Sequence, residues 1–60
     1  MFVIQRNDGA YVAPAGQEKS YTRKLEHART FQYRESAKRE ICVENERIVE
    51  VGELIRQTAL

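Results

Sequence analysis

The tripeptide Asn7-Asp8-Gly9 interrupts two short runs of strand-forming residues, and it constrains the fold more than any other feature of this chain. Before it lies Phe2-Val3-Ile4-Gln5-Arg6, rich in aromatic and β-branched side chains. After it, Ala10-Tyr11-Val12-Ala13 resumes the strand pattern. Asp-Gly supplies the positive φ angles of a tight hairpin turn, so the chain is expected to open with an antiparallel hairpin.

Length limits what can pack against that hairpin. Sixty residues make one domain at most, and a chain of this size buries only about 60% of the surface its unfolded form exposes. Below about 70–80 residues, one core rarely supplies more than about 3–5 kcal/mol without staples. The usual staples are missing: the one cysteine, Cys42, has no partner for an intrachain disulfide, and with the one histidine, His27, it cannot form a four-ligand zinc site. The chain must fold on packing alone or gain burial from a partner, a second copy included. A free cysteine without an export signal fits a cytoplasmic setting, and no apolar run approaches the ~18 residues of a membrane span.

Beyond the hairpin, Pro14 to Ser20 reads as a loop and Tyr21-Thr22 as a short extended piece. Leu25 to Ala28 suits a helical turn that leads into a short strand at Arg29-Thr30-Phe31. The main helix is expected from about Tyr33 to Val43, because Tyr33, Ala37 and Ile41 recur at i, i+4 and i+8 on one face. Glu35 is placed to help cap its first turn, and Asn45, which tolerates the left-handed conformation, to stop it. Arg47-Ile48-Val49-Glu50-Val51 alternates up to Gly52 as a last strand. Residues 1–52 are read as one α+β domain, a small mainly antiparallel sheet with one helix packed on one face. The tail, residues 53–60, is too short to be helical by itself and either docks or frays. The expected core is Val3 or Phe2, Val12, Phe31, Ala37, Ile41, Val49 and Val51.

The inventory for catalysis is thin. Nothing brings His27 or Cys42 next to a carboxylate, so Cys42 reads as a buried or half-buried apolar residue at the helix end and His27 as a surface or partly packed ring in the connector. The pairs Glu44/Glu46 and Glu50/Glu53 read as solvated carboxylates. The loop Pro14-Ala15-Gly16-Gln17-Glu18-Lys19-Ser20 lacks the Gly-Lys-Ser/Thr adjacency of a phosphate loop. No enzyme activity, cofactor or metal is expected.

Charge is more informative. Residues 19–39 carry Lys19, Arg23, Lys24, Arg29, Arg34, Lys38 and Arg39 against Glu26 and Glu35, a local +5, whereas the remainder carries −4. Such asymmetry steers association with a charged surface. Arg23, Lys24, Arg29, Arg34, Lys38 and Arg39, together with Tyr21, are the candidate partner-binding residues. Aromatics among cations also suit a single-stranded nucleic-acid platform, where bases stack and phosphates pair. The acidic remainder, with Glu44, Glu46, Glu50 and Glu53, offers the opposite reading, a mimic of nucleic acid.

The pattern Val3-Ile4, Arg6, Asp8-Gly9, Tyr11-Val12, Ser20-Tyr21-Thr22, Leu25, Ala28-Arg29, Phe31, Arg34-Glu35, Ala37, Val49 and Val51 resembles small phage and prophage proteins. The likeness covers about residues 3–51, with Gln32 standing where Thr or Ser is usual before the helix. It implies a binder of the anti-CRISPR kind, which blocks a host protein or ribonucleoprotein complex. It assigns no functional residue.

Overall fold

The computed structural model describes residues 1–16 and 20–58. Four strands, β1 (Phe2–Arg6), β2 (Tyr11–Val12), β3 (Tyr21–Thr22) and β4 (Glu46–Glu50), form one antiparallel sheet in the order β3-β2-β1-β4. Two short helices, α1 (Arg34–Lys38) and α2 (Val51–Thr58), and a 3-10 turn at Leu25–His27 complete the α+β fold.

The hairpin forms where expected, with a different turn. Gln5 faces Tyr11, and the Arg6 N–H donates to the Ala10 carbonyl at 2.6 Å, which leaves Asn7-Asp8-Gly9 as the loop. Gly9 alone takes positive φ, at 96°, while Asp8 does not. The Gly9 N–H donates to the Arg6 carbonyl at 2.9 Å, which makes a type I turn closed by a left-handed glycine. Asp8 uses its carboxylate instead, accepting from the Ala10 N–H at 3.1 Å.

β1 runs between β2 and β4, and both of its faces are buried. Val3 and Ile4 point to opposite faces and are each 0% exposed. Ile4, Phe31 and Ala37 form the central cluster, with Phe2, Val12, Ile41 and Ile48 against it. Ile4 belongs at the centre, which a reading of β1 as a one-sided strand overlooks. Val49 and Val51 are only half-buried. The expected strand at Arg29-Thr30-Phe31 reduces to a single bridge, in which Phe31 exchanges both backbone hydrogen bonds with Phe2 at 2.7 and 2.8 Å.

Helix α1 is shorter than the expected Tyr33–Val43. Glu46 on β4 accepts the Cys42 N–H at 2.8 Å, a donor that a continuing helix would need, and Asn45 and Glu46 N–H groups turn back onto the Cys42 carbonyl. That turn leaves Cys42 exposed, not half-buried. Asn45 lies in it without a left-handed φ and does not stop the helix. Tyr33 is the extended N-cap and is 64% exposed, so it does not share the buried face of Ala37. Glu35 makes no capping bond among the described residues and pairs with Lys38 at 3.5 Å.

The last strand ends at Glu50, and residues 51–58 turn helical directly after it. The Glu50 carboxylate explains this: it accepts the Gly52 N–H at 2.6 Å in the first turn of α2 and pairs with the amino terminus at 3.2 Å. These bonds hold the Glu50 carboxyl below the usual carboxylate range, the amino terminus first and the Gly52 N–H after it. Val51 and Leu54 are half-buried, whereas Ile55 stays 57% exposed.

Candidate interaction surface

The expected binding residues divide into two groups. Arg34 and Lys38 stand at i and i+4 on α1, with Arg39 as its C-cap and Tyr33 as its N-cap, all four exposed. The Arg34 guanidinium lies 5.0 Å from the centre of the Phe2 ring and makes no ion pair among the described residues. Arg39 is likewise without an ion-pair partner among them. Arg29 reaches the same region from the connector: it lies 4.8 Å from the Phe31 ring centre and donates to Glu40 at 2.5 Å.

The second group sits at the hairpin. Arg6 grips Asp8 with two parallel bonds, at 2.9 and 2.7 Å. Arg23 adds bonds to the Asp8 carbonyl at 2.8 Å and to its carboxylate at 3.3 Å. Arg6 first, then the Ala10 N–H, hold the Asp8 carboxyl far below the usual carboxylate range. The Arg6 guanidinium in turn lies 4.0 Å from the Tyr21 ring centre, and the Tyr21 hydroxyl donates to Glu46. That bond to a carboxylate pushes the Tyr21 phenol upward. Tyr21 lies on β3 and Glu46 on β4, the two edges of the sheet, so the bond draws the edges together over one face.

Charge is therefore less segregated in space than along the chain. Asp8 and Glu40, both from the acidic remainder, pair with Arg23 and Arg29, although Asp8 is shared with Arg6. Lys38 is paired within α1. Lys24 is exposed without an ion pair among the described residues, and Lys19 lies outside them. What persists as open positive charge is Lys24 and the α1 set, Arg34 and Arg39 above all. Tyr21 has its hydroxyl and one ring face engaged, while Tyr33, expected on one helix face with Ala37 and Ile41, is open beside Arg34.

On the acidic side, Glu46 and Glu50 are engaged by Tyr21, Cys42, the amino terminus and Gly52. Glu53 pairs with Arg56 at 3.8 Å. Among the described residues no three His, Cys, Asp or Glu side chains are grouped to hold a metal ion. No helix among them is long and apolar enough to cross a membrane. Comparison with protein-family models, with curated proteins and with solved structures finds no match.

Proposed function

We propose that this chain is a non-enzymatic binding protein that docks helix α1 on an anionic surface of a macromolecular partner. The partner class is a host protein or ribonucleoprotein complex, and the role is that of a small phage-encoded inhibitor. The observation that carries this reading is the exposed Tyr33 beside Arg34, whose guanidinium rests near Phe2 with no carboxylate among the described residues to satisfy it. An arginine stacked on a ring is held in place while its planar fork of donors stays free. Tyrosine and arginine are also the residues that most often anchor interfaces. The inhibitor role rests on the sequence resemblance alone.

The same pair supports a second reading, a small nucleic-acid module in which Tyr33 stacks a base and Arg34, Lys38 and Arg39 meet phosphates. Affinity capture from a bacterial lysate, with and without nuclease, separates the two. Capture that survives nuclease supports a protein partner, and capture lost with nuclease supports the nucleic-acid reading. Cys42→Ser and His27→Ala should leave capture intact; a large loss in either, with the fold preserved, overturns a reading that gives these groups no part.

A further inference from the structure

Strand β4 lies at the edge of the sheet, and the hydrogen-bond pattern shows which of its backbone groups face outward. In an antiparallel ladder each residue points its N–H and C=O to the same side, and successive residues alternate. Phe2 bonds Phe31 and Arg6 bonds Ala10, so the even residues of β1 face β2, and Val3 and Gln5 face β4. Their partners are Val49 and Arg47. The bonds that flank the ladder agree, since Val51 N–H donates to the Met1 carbonyl and Asn7 N–H to the Asn45 carbonyl. Glu46, Ile48 and Glu50 therefore point away from β1. The Glu46 N–H is spent on the Cys42 carbonyl, and the Glu50 carbonyl faces into the first turn of α2. Among the described residues, the groups left open are the Glu46 carbonyl, both groups of Ile48 and the Glu50 N–H.

That set is complementary to itself. We propose that two copies of this chain pair β4 to β4, antiparallel, about a two-fold axis at Ile48. Ile48 then exchanges both hydrogen bonds with its counterpart, and each Glu46 carbonyl accepts the Glu50 N–H of the other copy. Ile48 meets Ile48 on one face, and Arg47 meets Val49 on the other. The pairing places Glu46 opposite Glu50 of the second copy, an unfavourable juxtaposition for free carboxylates. Both are already held, Glu46 by Tyr21 and Cys42, Glu50 by the amino terminus and Gly52. The axis also brings the Val43 end of one β4 beside the α2 end of the other, where Val43 is 81% exposed and Ile55 exposed as well. The product is a continuous sheet, β3-β2-β1-β4-β4-β1-β2-β3. Its axis is perpendicular to the sheet, so both copies of α1, which packs on β1 and β4 in the Ile4 cluster, lie on the same face. A 60-residue chain thereby gains burial and presents two basic helices to one partner.

Sedimentation equilibrium from micromolar to millimolar concentration, combined with amide hydrogen exchange, tests this. The expected result is a monomer–dimer equilibrium in which the Ile48 and Glu50 amides become protected only as dimer forms. Arg47 and Val49 amides, which face β1, serve as the control that is protected throughout. Ile48→Pro removes an N–H that makes no bond among the described residues and should weaken dimerisation roughly tenfold or more. A monomer at every concentration overturns the proposal, as does a dimer whose Ile48 amide still exchanges freely. If Ile48→Pro fails to fold, the exchange of the unmodified protein decides alone.

Discussion

Ile4 is the side chain on which the core depends most, and shortening it gives a graded measure of the packing described above. It is 0% exposed, opposite Ile48 on the neighbouring strand and in the cluster with Phe31 and Ala37. Removing one methyl group, Ile4→Val, should cost about 0.5–1.5 kcal/mol, the usual range for a buried isoleucine. In a domain of this size about 1 kcal/mol lowers Tm by about 4–8 °C. Ile4→Ala, at about 2–5 kcal/mol, removes most or all of the roughly 3–5 kcal/mol that such a core supplies. Val43→Ala provides the control: Val43 is 81% exposed, and its loss should stay within about 0.5 kcal/mol. Thermal and urea unfolding followed by circular dichroism reads all three. An Ile4→Val protein as stable as the parent, or a Val43→Ala protein equally weakened, refutes the placement of the core between α1 and β1.

Three further outcomes are expected. Ala37→Glu puts a charge at a fully buried position between α1 and the sheet and should unfold the domain, which circular dichroism would show as loss of the cooperative transition. The folded-state pKa of Asp8 is depressed, so its stabilisation is present above the unfolded value of 3.8 and fades as pH falls through the folded one. Glu50 acts in the same direction, and Asp8→Asn should flatten the decline of Tm with acid. Tyr21 is raised, so the folded chain keeps a proton that the unfolded chain loses above pH 10.0, and stability should fall there. Tyr21→Phe should remove that alkaline decline.

The parts of the fold that were legible in the sequence are those set by local chemistry. Gly9 specifies the turn because positive φ is cheap only for glycine, and Ala37 marks the point where a helix can approach a sheet. Ile4 is absent from the expected core because alternation assigns a strand one buried face, whereas β1 buries both Val3 and Ile4. Tyr33 is the extended N-cap of α1 and not its first buried turn, and the expected stop at Asn45 fails for a non-local reason: the Glu46 carboxylate takes the Cys42 N–H, a donor a continuing helix would need. The tail reads as non-helical because eight residues cannot hold a helix unaided; Glu50, the residue before α2, caps its first turn. At the candidate surface, residue types announced the basic segment. They did not announce that Asp8 and Glu40, 15 and 11 residues distant, pair with Arg23 and Arg29. Nor does anything in the spacing of Tyr21 and Glu46 suggest that the two edges of the sheet meet.

The basic helix as the binding surface is tested most directly by reversing the two charges, Arg34 and Arg39, that have no ion-pair partner among the described residues. Arg34→Glu with Arg39→Glu alters exposed side chains and should leave Tm within a few degrees of the parent. Affinity for the captured partner, measured by titration at low and moderate salt, should fall at least roughly tenfold for the double variant, and the parent's affinity should weaken with salt. Unchanged affinity in the double variant, with the fold intact, would contradict the account and move the interface away from α1.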